Sequence, residues 1–100
     1  MQIVNILDAP SQTLNINLSG QFTTINLWTR TNGMYMDLYV NNVLIIGGVI
    51  CQNLNQIVRD TYLGFIGDLM FFDTQGVSDP FSPGLGTRFL LIYVLPSDFP

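Results

Sequence analysis

The chain has 100 residues and a net charge of −4, and it contains no histidine, lysine or glutamate. Charged side chains make up 10% of it, against about 25% in an ordinary soluble domain, while 48% of its residues are hydrophobic. Length excludes two independent domains, acidity argues against gripping nucleic acid, and the missing His and Lys remove the usual bases for nucleophilic catalysis.

Composition also sets the fold class. Ala9 is the one alanine, and without Glu or Lys the chain lacks the side chains that lose least freedom in a helix. Ile, Val, Thr, Tyr and Phe suit a pleated, half-buried surface, and nine Asn, nine Gly and five Pro supply turns. The expectation is an all-β single domain over residues 1–100, a small antiparallel β-barrel or sandwich of roughly six to eight strands.

In chain order, residues 2–7 (QIVNIL) read as a first strand, ended by Asp8-Ala9-Pro10-Ser11. The opening MQIVNILDAP has neither the basic region nor the long apolar stretch of a signal peptide. Residues 13–18 alternate, with Leu14, Ile16 and Leu18 opposite Asn15 and Asn17, which marks a strand with one wet face. Ser19-Gly20-Gln21 turns the chain into a partner strand over 22–30. Asn32-Gly33 is the strongest hairpin signal, because a type I′ turn needs positive φ at both central residues.

Residues 34–40 alternate again, Met34, Met36, Leu38 and Val40 against Tyr35, Asp37 and Tyr39, and Asn41-Asn42 leads into a strand from Val43. Inside that strand Gly47-Gly48 predicts a bulge or a close backbone approach. Cys51 ends the run and reads as a small buried core residue with no disulfide partner. Residues 52–60 fit either strand or a short helical turn. Residues 63–72 read as strand broken by Gly64 and Gly67, residues 73–87 as one long loop, and residues 89–95 as an apolar strand covered on both faces.

So apolar a chain needs cover. The longest near-apolar run, Val43 to Cys51, is too short for a spanning helix of about 20 residues, and a transmembrane barrel would need at least about eight strands of 10 residues. Stable membrane insertion is therefore not expected, and protein partners are.

No catalytic residue, cofactor or metal is expected. Asp68, Asp73 and Asp79 lie near a glycine, yet the stretch lacks the alternating ligands and the bidentate Glu of a calcium loop. Arg88, at the base of the long loop, is placed to fork onto Asp73 or Asp79 and hold the loop. Phe81 and Leu85 are the loop's candidate anchors to a partner, so Phe81, Leu85, Arg88, Asp73 and Asp79 form the candidate contact set.

Residues 62–76 (YLGFIGDLMFFDTQG), Asp79-Pro80, residues 84–93 (GLGTRFLLIY) and residues 38–51 (LYVNNVLIIGGVIC) together resemble the baseplate plug proteins of contractile-tailed bacteriophages, a family known from cyanophages. The resemblance implies a structural, non-enzymatic virion component of the tail baseplate, assembled in the host cytoplasm and helping to close the tail-tube channel at the hub. It implies contacts with other baseplate and tail-tube proteins, and a homo-oligomer, trimer or ring, about the tail axis. It implies no specific nucleic-acid binding, although DNA passes nearby. An alternative from another class is a carbohydrate-binding module of a receptor-binding device, which would cluster Trp28, Tyr35 and Tyr39 on one exposed face.

Overall fold

A computed structural model describes residues 2–31, 33–58, 65–81 and 84–95. Asn32 of the expected turn, Leu63 and Gly64 of the expected strand, and Arg59 and Asp60 of the undecided stretch lie outside the described residues.

Among the described residues seven strands form: β1 (Gln2–Val4), β2 (Ser11–Leu18), β3 (Gln21–Arg30), β4 (Gly33–Val40), β5 (Val43–Cys51), β6 (Asp68–Asp73) and β7 (Phe89–Val94). They make two antiparallel sheets, β2-β3-β4-β5 and β1-β7-β6. The architecture is thus sandwich-like. Each short turn between β2 and β5 gives an adjacent antiparallel pair, so the larger sheet is a meander. The described residues between β5 and β6, 52–58 and 65–67, make one isolated parallel bridge, Asn53 to Phe71, and are otherwise irregular.

Period-two alternation decides which side chains meet. Leu18, Ile25, Leu27, Met34, Met36 and Leu38 from the meander join Val4, Leu69, Phe71, Phe89, Leu91 and Tyr93 from the smaller sheet in one core. The meander's outer face is wet. Thr13 donates to Asn26 at 2.8 Å and Thr24 donates to Asn15 at 2.7 Å across the strands.

Two elements have other bounds than the sequence pattern predicts. β1 stops at Val4 because the Gln12 side chain takes over beyond it, accepting from the Leu7 N–H at 2.9 Å and donating to the Leu7 carbonyl at 2.6 Å. β6 begins only at Asp68, whose carboxylate accepts from the N–H groups of Ile57 (3.0 Å), Val58 (2.8 Å) and Leu69 (2.7 Å). That arrangement ties the irregular crossing segment to the strand.

The sheets are joined at one end by a buried polar junction. Gln21 accepts from the Ile66 N–H at 3.0 Å and donates to the carbonyls of Leu18 (3.0 Å) and Ile66 (3.2 Å). The Tyr93 hydroxyl donates to the Ile66 carbonyl and lies 3.1 Å from the Ser19 hydroxyl. Gly67 makes the approach possible. Its φ is +92°, and a Cβ there would lie 2.6 Å from the Val94 carbonyl oxygen and 2.8 Å from the Tyr93 ring. Gly67→Ala is therefore expected to destabilise the fold by about 2–3 kcal/mol, read from the midpoint of denaturant unfolding with the slope unchanged.

Candidate functional site

Alternation along β6 and β7 gives the smaller sheet two apolar faces. Leu69, Phe71, Leu91 and Tyr93 face the core, and Met70, Phe72, Leu90 and Ile92 face away from it. On that outer side Ile3, Leu54, Phe72, Leu90 and Ile92 line a groove of about 510 Å³. Ile3 is 56% exposed, Leu54 53% and Phe72 40%. Among the described residues no charged side chain lines the groove. The expectation that residues 89–95 are covered on both faces is met on one side by the meander, and on the other this open groove remains.

Leu54 stands out within it. Its φ is +59°, a left-handed conformation that is strained for a bulky side chain. Its N–H donates to the Phe71 carbonyl at 2.8 Å, which fixes the exposed side chain at the rim.

Beside the groove the long loop is pinned rather than free. Arg88 forks onto Asp73, Nε to Oδ1 and Nη2 to Oδ2, both at 2.9 Å. The same carboxylate accepts from the N–H groups of Gln75 and Ser78, each at 2.9 Å. The Arg88 guanidinium also lies 4.9 Å from the centroid of the Phe89 ring and 5.7 Å from that of Phe81, and the two rings pack 4.8 Å apart. Asp79 accepts from the Asn53 N–H at 2.9 Å, and Asp8 accepts from the Gly84 N–H at 3.0 Å.

Of the five candidate contact residues, Leu85 is buried in the core and Asp73 lies beneath Arg88, while Asp79 and Phe81 are exposed. The sequence reading passed over Val77, which is 86% exposed on the segment that Asp73 fixes. A lone apolar residue in a Gly- and Ser-rich loop gave little signal of that. Asp68, Asp73 and Asp79 do not converge; each serves a different backbone or Arg partner.

On the meander's outer face Trp28 and Tyr35 stack as cross-strand partners, 6.1 Å apart and 21° from parallel. Tyr39 lies four residues further along β4, and Asp37 stands between the two tyrosines on the same face, accepting from the Gly48 N–H at 2.8 Å. The aromatic trio therefore does not form one platform. Gly48, with φ +65°, belongs to the irregularity expected at Gly47-Gly48, where the β4–β5 register shifts.

Electrostatics separate two further groups. The fork from Arg88, opposed by desolvation and helped by the Gln75 and Ser78 N–H groups, holds the Asp73 carboxyl well below the usual carboxylate range. Its contribution to stability is present above the unfolded-state value of about 3.9 and is lost as pH falls through the lower folded-state value. The thermal stability gap between wild type and Asp73→Asn should be widest near neutrality and close progressively in acid, as followed by melting curves across pH. Burial pushes the Cys51 thiol up to about 12. At pH 8 it should resist a water-soluble thiol reagent in the native protein and react promptly once denaturant unfolds the chain, as timed by thiol titration.

A family model described as "Cyanophage baseplate Pam3 plug gp18" matches residues 1–96. A comparison with curated proteins finds no match.

Proposed function

The chain belongs to the cyanophage baseplate plug family, and from that membership we propose that it closes the tail-tube channel at the centre of the baseplate hub. As a phage baseplate protein it is located in the virion tail and associates with other baseplate proteins. The family is structural rather than enzymatic.

The observation that best supports a plugging role is the second apolar face of the β1-β7-β6 sheet, open to solvent in a chain with 10% charged residues. A surface of that kind on a small domain is stable in water only when neighbours cover it. In this reading the subunit works mechanically. It sits among hub and tail-tube proteins as a homo-oligomer, trimer or ring, and blocks the channel until infection. A net charge of −4 gives passing DNA nothing to grip.

The loop over residues 73–87 is the proposed second contact. Phe81, Asp79 and Val77 offer its surface, while Asp73, Arg88 and Leu85 hold it in shape. Its described residues, 73–81 and 84–87, are bonded in place before docking, so they forfeit little conformational entropy on binding.

Val77→Asp should leave the folded chain as stable as wild type, because the side chain touches almost nothing, yet reduce the amount of plug in purified tails. Particles lacking the plug should lose DNA through the tail or fail to complete it. Plug-free particles that keep their DNA and infect normally would sink the channel-closing role.

A further inference from the structure

We propose that the outer edge of β2 is a strand-addition site, which an extended segment of another baseplate protein joins as a fifth strand of the larger sheet. Such a contact presupposes a place in the baseplate, not closure of the channel.

The two sheets end in four edges, β2 and β5 on the larger and β1 and β6 on the smaller. Three of them carry a device against pairing. β1 is three residues long. Along β6 the crossing segment occupies the outward groups: the Leu54 N–H donates to the Phe71 carbonyl at 2.8 Å, the Ile57 N–H to the Leu69 carbonyl at 3.0 Å, and Asn53 accepts from the Asp73 N–H at 2.9 Å. β5 shifts register against β4, and Gly48 within it has φ +65°. Short length, a covering segment and an irregular register each discourage a second ladder. β2 has none of these. It runs eight residues in unbroken register from Ser11 to Leu18, without proline, glycine or charge.

Register identifies the free groups. Leu18 pairs with Gln21 across the two-residue Ser19-Gly20 turn, so Gln12, Leu14, Ile16 and Leu18 direct their backbone groups to β3, and Thr13, Asn15 and Asn17 direct theirs outward. Phe22, opposite Asn17, confirms the phase, since its carbonyl accepts from the Asn41 N–H on the far side of β3. The three outward residues also have their side chains drawn back from the edge. Thr13 donates to Asn26, Asn15 accepts from Thr24, and Asn17 accepts from the Gly20 N–H at 2.9 Å. On the inner face Leu14 and Ile16 are half-buried, whereas Leu18 is fully buried. A strand laid beside β2 would complete their cover.

These features state the partner's chemistry. A row of alternating donors and acceptors is matched by extended backbone, and the row of side chains asks for apolar residues beside Leu14 and Ile16 and polar ones beside Asn15. Charge selects the source. A second copy brings another −4 with no opposite charge on β2, while a neutral or basic segment of a different protein is not opposed by the acidic chain.

Hydrogen exchange resolved to single amides, on the isolated full-length chain and on purified tails, tests the edge. In the isolated chain Thr13, Asn15 and Asn17 should exchange fast, and Gln12, Leu14 and Ile16 slowly. In tails the fast trio should slow by at least about a hundredfold. Asn15→Pro removes an outward N–H and no ladder bond to β3, so it should keep the wild-type circular dichroism and enter tails at least about tenfold less.

A trio that stays fast in tails, or a folded Asn15→Pro chain incorporated like wild type, overturns the strand addition. Protection in the isolated chain that grows with concentration also overturns it, by assigning the edge to a second copy. Should Asn15→Pro fail to fold, exchange of the wild-type trio decides alone. Plug-free particles that keep their DNA would remove channel closure and leave the slowed trio of plug-bearing tails in place.

Discussion

A β-sheet with two apolar faces needs two covers, and this chain supplies one. The β1-β7-β6 sheet places Leu69, Phe71, Phe89 and Leu91 against the meander and turns Phe72, Leu90 and Ile92 outward. The meander itself is one-sided, with Thr and Asn on its outer face bonded across strands. The two sheets are thus unequal. One is finished by water, and the other remains open to a neighbour, which is the state expected of a subunit rather than a free-standing domain.

The few charges are used to shape the backbone. Asp8, Asp37, Asp68, Asp73 and Asp79 each accept from at least one main-chain N–H. A short carboxylate reaches such groups locally, which accounts for the use of aspartate where glutamate would extend past them. Arg88 completes the pattern by fixing Asp73 and covering Phe81 and Phe89. Asp68 and Asp73 are buried in this way and add little to the charge of the surface.

Much of this was legible in the sequence. Alternation in residues 13–18 and 34–40 assigned the correct faces, Gly47-Gly48 marked the register shift in β5, and Arg88 was placed on Asp73 or Asp79, of which it takes Asp73. The family was legible too, because its segments are distinctive as a set. The loop was not. Its Gly-, Pro- and Ser-rich composition reads as unstructured, and beyond the Arg88 fork its described residues are held through Asn53 and Asp8, which lie elsewhere in the sequence. Leu85 shows the same limit, since an apolar residue in a loop fits a partner anchor or the core equally well, and packing decided for the core. Strand ends at Val4 and Asp68 were displaced by side chains that replace ladder bonds, an effect that hydrophobic periodicity does not register.

The pairing of β1 with β7 carries a kinetic consequence. Gln2 lies opposite Tyr93, so the two strands of that pair stand far apart along the chain. The hairpins of the meander close over short stretches and can form early, and β7 reaches β6 across one loop, whereas its other edge meets β1 only after a much longer stretch of chain closes. One edge of the most apolar strand therefore stays unprotected until late in folding, open to aggregation in the meantime.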